Sequence, residues 1–257
     1  MSKRCLEPGK KRGDLVSPAT VNKELRHIKA VLGIAYEWEY LPMMSKVTML
    51  KEPYKVPTYV TPEHFAAMYE TADAARMPKN LPYPSADWWR ALVAFNYMTG
   101  WRVSEPLLLR REDLDLDEGY AITRHDDNKG NRDERVPLTG VVIEHLRAIA
   151  SFDVMVFPWP HCRVSLWNEF HRIQRAAGIY LPCRADPEHT PSCHMYGFHD
   201  LRRAFATLNA PTLSADALQS LMWHKCFTTT QRCINMAGQL TWAVDNLYVP
   251  DVLKRKA

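Results

Sequence analysis

The amino-acid sequence predicts an α+β fold, mainly helical, with a small antiparallel sheet and a helical fragment ahead of the main domain. Three observations carry that prediction. Apolar residues recur at three- and four-residue steps along much of the 257-residue chain, the period of a helix with one buried face. Strand-like patterning is concentrated in one stretch, where the short runs 121–123 and 135–138 flank a polar segment. A hydrophobic content of 46% with 24% charged residues is ordinary for a folded chain, and the length suits one good-sized domain or a domain with a smaller companion.

The elements follow in order. Residues 1–16 are rich in lysine and arginine and show no helical period. Ser17-Pro18 reads as a helix cap followed by proline at the first helical position, where its missing N–H costs nothing. Val21, Leu25, Ile28, Leu32, Ala35 and Trp38 then form an apolar stripe, which predicts an amphipathic helix to about Tyr40 with Lys23, Arg26, Lys29 and Glu37 on its polar face. The stretch Pro42–Pro57 has no period and reads as a linker. Thr61-Pro62-Glu63 repeats the cap-plus-proline signal. The apolar run 86–98 predicts a buried helix, broken by Thr99-Gly100. A helix over 102–110 tolerates Pro106 only in its first turn. The strand–turn–strand unit comes next, with residues 126–134 as a loose hairpin, and 154–157 is a further short strand. A helix over 165–177, a Cys/His-rich loop over 182–197 and helices over 199–210, 214–223, 227–236 and 240–247 complete the chain. The domains expected are a partial helical unit over 1–52, a linker over 53–60 and a main domain over 61–257.

Net charge is +4, a mild basic excess that suits a polyanion partner without requiring one. The local clusters are stronger: Lys3, Arg4, Lys10, Lys11 and Arg12 at the front, the pairs Arg110-Arg111 and Arg202-Arg203, and Lys254-Arg255-Lys256 at the end. Such runs serve equally as solvated surface or as phosphate contacts. The six cysteines are scattered and no secretory signal precedes them, so free thiols in a reducing, cytoplasmic compartment are expected. No apolar run reaches the ~18 residues of a membrane helix, so a membrane partner is not expected.

Three segments place phosphate-binding side chains near helix starts: Thr99-Gly100-Trp101-Arg102, His199-Asp200-Leu201-Arg202 and Trp223-His224-Lys225. Arginine suits a phosphate because its planar fork donates two parallel hydrogen bonds and stays charged. Two arginines with histidines converging on one phosphate would stabilise a pentavalent transition state without a metal ion. No cluster of metal-binding carboxylates points to a general nuclease or phosphatase.

The order and spacing of these segments add to that reading. Thr99-Gly100-x-Arg102-x-x-Glu105 with the following run 107–115, Asn128-Lys129-Gly130 ahead of Arg135-Val136-Pro137-Leu138, His199-Asp200-Leu201-Arg202, and His224 followed by Thr228-Thr229-Thr230-Gln231-Arg232 resemble the motifs of the tyrosine recombinases, the phage integrase family. The resemblance covers about residues 17–250. It implies a tyrosine-recombinase catalytic domain preceded by part of a helical core-binding domain. It implies that Arg102 and Arg202 clamp a scissile DNA phosphate and that Lys129 protonates the leaving 5′ oxygen as general acid. His199 would assist proton transfer at the nucleophile, His224 would hydrogen-bond a phosphate oxygen, and Glu105 would orient its neighbours. No cofactor is implied, because the bond energy is kept in a covalent protein–DNA link. Double-stranded DNA is the implied partner, at the nucleoid of a prokaryote or in service of a mobile element, with tetrameric assembly on DNA through residues 240–257.

One position departs from the family. The nucleophilic tyrosine stands nine residues after the last histidine, and here that position is Cys233. A thiol is shorter than a phenol and would form a different intermediate. Two readings therefore stand side by side: a recombinase that cuts and rejoins DNA, and a catalytically inactive pseudo-recombinase that grips DNA without cutting. Tyr248 is the only tyrosine downstream. The front of the chain holds only the last helix or two of the family's core-binding domain. Cys183, His189, Cys193 and His194 offer zinc-type ligands in one loop, but their spacing matches no standard site, and a loop that positions His199 and Arg202 is the plainer expectation.

Overall fold

A computed structural model describes residues 16–53, 56–124, 134–182 and 193–236. The chain divides into two compact units, residues 1–55 and 56–257. In the first, helix α1 spans Pro18–Glu37. Ser17 caps it through an Oγ that accepts from the Thr20 N–H at 3.3 Å, and Pro18 occupies the first turn. Near its start, buried Asn22 donates to the Leu50 carbonyl at 2.9 Å and to Glu52 at 2.6 Å, and accepts from the Leu50 N–H at 2.7 Å. Three bonds from one amide thus tie the irregular segment after the helix back onto it.

The second unit holds α2 (Pro62–Glu70), α3 (Ser85–Thr99), α4 (Ser104–Leu108), β1 (Leu114–Asp115), β2 (Tyr120–Thr123), β3 (Glu134–Pro137), α5 (Gly140–Ala148), α6 (Arg163–Ala176), α7 (Phe198–Asn209), α8 (Ala215–Leu221) and α9 (Phe227–Gln231). The three strands form one antiparallel sheet in the order β1-β2-β3, with Ala121 opposite Val136 and Ile122 opposite Arg135. The mainly helical α+β class expected from the sequence is what the chain adopts.

Helix α3 is the centre of the core. Trp88, Trp89, Leu92 and Phe95 on it are fully buried, and it packs against α5 and α7. An aromatic cluster surrounds it: Trp89 stacks near Phe170 of α6 and Phe198 of α7, and Phe157 meets Trp88 and Phe95 edge-on. Burying each such ring contributes about 1.5–3 kcal/mol. A smaller cluster gathers Phe205 and Ala206 of α7, Leu218 and Met222 at α8, and Cys233 and Ile234 after α9.

Several boundaries differ from expectation. Residues 154–157 do not form a strand; they make a single bridge, Arg110 to Met155. The helix expected over 102–110 is the single turn 104–108, with Pro106 inside its first turn. The helix expected over 227–236 stops at Gln231. Helix α5 went unread, because Gly140, Val141, Val142 and Ile143 are poor helix formers; its signal is the stripe Val142, Leu146 and Ile149, all buried. The segments 126–133 and 240–247 lie outside the described residues.

Candidate functional site

The site is built from the end of α3. Gly100 closes that helix in the left-handed conformation, φ +67, which L side chains rarely adopt. A Cβ there would stand 2.5 Å from a ring carbon of Phe205, so glycine is needed for space as well as for φ. The turn also aims the Gly100 carbonyl at Arg202, whose Nη1 donates to it at 2.6 Å. Two residues on, the Glu105 carboxylate accepts from the Arg102 backbone N–H at 2.7 Å and from its guanidinium at 3.1 Å. Glu105 is buried and Arg102 is half-buried, so the carboxylate holds the arginine from behind and leaves part of its fork accessible.

Helix α7 supplies the second arginine. Asp200 reaches back to the Gly197 N–H at 2.8 Å and holds Arg203 at 2.8 Å, fixing the helix start. Arg202 points inward and is 1% exposed. Its Nη2 donates to the Met222 carbonyl and to His224 Nε2, the latter at 2.7 Å. Its Nε has no hydrogen-bond partner among the described residues. An arginine only donates, so His224 Nε2 must accept and the ring proton sits on Nδ1, which faces buried Thr230 Oγ1 at 2.9 Å. Burial, reinforced by neighbouring Arg102, brings Arg202 down to about 10, which still leaves it charged at neutral pH. Burial and the charges of Arg202 and Arg102 hold His224 down at about 4.

His199 lies at the exposed start of α7. Desolvation of its ring, then Arg203, Arg202 and Arg102, bring its pKa to about 4, so it is neutral near pH 7 and able to accept a proton. Cys233 is 5% exposed and sits in the apolar cluster of α7 and α8. Burial raises its thiol above the ordinary range, while Arg202, Arg203 and Arg102 pull the other way without prevailing. The groups that feel one another's charge are thus Arg102, Glu105, His199, Arg202, His224 and Cys233: five far-separated segments brought to one place. A set of clustered arginines with neutral histidines can hold a singly charged oxyanion and a phosphoryl oxygen.

Other expected positions stand apart. Lys129, Cys183, His189 and Tyr248 lie outside the described residues. His194 is buried, with Nδ1 bonded to the Leu181 carbonyl at 2.7 Å and Nε2 to the Tyr180 hydroxyl at 2.9 Å. Both ring nitrogens therefore already have protein partners. Among the described residues no group of three or more His, Cys, Asp or Glu gathers to hold a metal ion. None of the described helices is long and apolar enough to cross a membrane. Three contributors escaped the sequence reading. Thr230 orients His224; the Met222 carbonyl holds Arg202; and Trp223, at φ 50, sets its ring 4.6 Å from Trp101. Thr230 carries a faint signal, since it lies one helical turn past the loop that follows His224. A backbone carbonyl carries none.

Comparison with known proteins places this geometry. The chain is 26% identical over 249 residues to tyrosine recombinase XerC of Treponema denticola, an alignment covering 91% of this chain and 77% of that protein. It is 29% identical over 154 residues to tyrosine recombinase XerA of Thermococcus kodakarensis, covering 55% of this chain and 49% of that protein. Among solved structures, XerH site-specific recombinase bound to a palindromic difH substrate in a post-cleavage complex matches with a TM-score of 0.64 at 19% identity, over 90% of this chain and 68% of that one. XerA recombinase matches with a TM-score of 0.54 at 16% identity, over 95% and 86%; at such identities these likenesses speak for the fold. The family profile described as "Phage integrase family" matches residues 59–238, which include every described member of the site. The chain therefore belongs to the phage integrase family, the tyrosine recombinases.

Proposed function

We propose that this protein acts in site-specific DNA recombination as a member that grips a backbone phosphate of double-stranded DNA and does not cut it. The observation that carries the reading is Cys233. Its thiol is short, buried and held protonated by that burial, whereas covalent attack on phosphorus needs a thiolate with reach. The grip itself has its donors: the accessible part of Arg102, the spare Nε of Arg202 and the neutral ring of His199. In this reading Glu105 and His224 hold the two arginines in place, and Lys129 would approach the leaving oxygen from its hairpin. The relatives that share this architecture include structures solved with DNA, which supports duplex DNA as the partner and the nucleoid as the place of action. Assembly on DNA through residues 240–257 belongs to the same reading.

A phosphate grip has a salt signature. Each neutralised phosphate releases counterions, so the affinity for a labelled duplex falls with salt at a slope set by the number of contacts. Replacing Arg102 by alanine is expected to weaken binding and to reduce that slope by about 1. A slope unchanged in the Arg102→Ala variant would remove Arg102 from the interface and, with it, the proposed phosphate grip.

A further inference from the structure

Helix α1 carries a surface that the DNA-binding reading does not use. All of residues 26–31, nearly two turns, are exposed. Within and beyond them a stripe of large apolar side chains faces solvent: Ile28 at 51%, Val31 at 65%, Ile34 at 45% and Trp38 at 67% exposure. Their spacing of three and four residues puts them on one side of the helix. An isolated helix is marginal in water, and most helical stability comes from covering such a face. A contiguous apolar stripe of this kind marks an interaction site.

The charges beside the stripe select what covers it. The first half of α1 carries exposed Lys23, Arg26 and Lys29, with Glu24 as the one acidic residue. The far end carries exposed Glu37 and, just past the cap, Glu39. A parallel pair of such helices sets like charge beside like. An antiparallel pair sets the basic half of each helix against the acidic end of the other, and opposes the two helix dipoles favourably as well. We propose that α1 is a self-association surface, and that two copies of this chain pair through it as an antiparallel helix dimer in the absence of DNA. Centred on Val31, the pair sets each Ile28 against Ile34 of the second copy and each Lys23 beside Glu39 of the second copy. Charge complementarity chooses a second copy over a foreign partner because both halves of the match lie on this one helix.

Sedimentation equilibrium of the full chain without DNA tests the proposal. The expected result is a reversible dimer with a micromolar Kd, the range of a small interface, which weakens as salt rises because the flanking charges are screened. Val31→Glu should weaken it at least tenfold. The double variant Glu37→Lys, Glu39→Lys, on the exposed polar flank and so without risk to folding, should also weaken it. Adding Lys23→Glu and Arg26→Glu to that variant should restore it. A wild-type chain that stays monomeric up to about 100 µM, two decades above the expected Kd, overturns the proposal. So does a dimer indifferent to Val31→Glu, which would place the contact elsewhere, and so does a charge reversal that the second pair of changes does not rescue.

Discussion

Gly100 shows how much of the site rests on single residues. Its positive φ turns the chain out of α3, its missing side chain admits Phe205, and its carbonyl holds Arg202. Gly100→Ala must bear the left-handed strain and displace the Phe205 ring. The expected loss is about 2–4 kcal/mol in urea unfolding, combining backbone strain with overpacking. His224 gives a prediction of different kind. Its folded pKa of about 4 lies below the ordinary 6.5, so above about pH 6.5 the ring is neutral whether the chain is folded or not. As pH falls from there towards 4, the unfolded chain takes up the proton first and the fold loses stability. Unfolding at pH 5 should show roughly 1–2 kcal/mol less stability than at pH 7 from this group. His224→Gln should flatten that dependence in part, because His199 is shifted in the same direction.

At the scale of elements, the core gives the cleanest contrast. Phe157 is fully buried against Trp88 and Phe95, while Phe152, five residues earlier, is wholly exposed. Phe157→Ala should cost about 3–5 kcal/mol and Phe152→Ala less than about 0.5 kcal/mol, both read from denaturant midpoints. The helices with clear stripes and caps, α1, α2, α3 and α7, were legible in the sequence because periodicity and Ser/Thr-Pro signals are local. Helix α5 was not, since its first turn consists of glycine and β-branched residues and only its packing on α3 decides the matter. The expected strand at 154–157 failed for the opposite reason: an apolar run fits a buried irregular segment as well as a strand. At the site, charged side chains in motif order could be named in advance. Their holders could not, because the Gly100 and Met222 carbonyls that seat Arg202 are backbone groups with no mark in the sequence.

At the scale of the whole molecule, α3, α4, α7 and the segment from α8 to Cys233 carry one cluster of positive charge on a packed aromatic core. That scaffold keeps the phosphate-holding groups of the phage integrase family, while the nucleophile position holds a buried thiol. Gripping without cutting is the behaviour this combination predicts, and a nicked suicide duplex, drawn from sites that the protein itself selects out of a randomised pool, measures it directly. On a denaturing gel the wild-type chain should give no covalent protein–DNA adduct, and the Cys233→Tyr variant should give one. An adduct formed by the wild type, persisting in Tyr248→Phe and lost in Cys233→Ala, would contradict the proposed role and make Cys233 a working nucleophile.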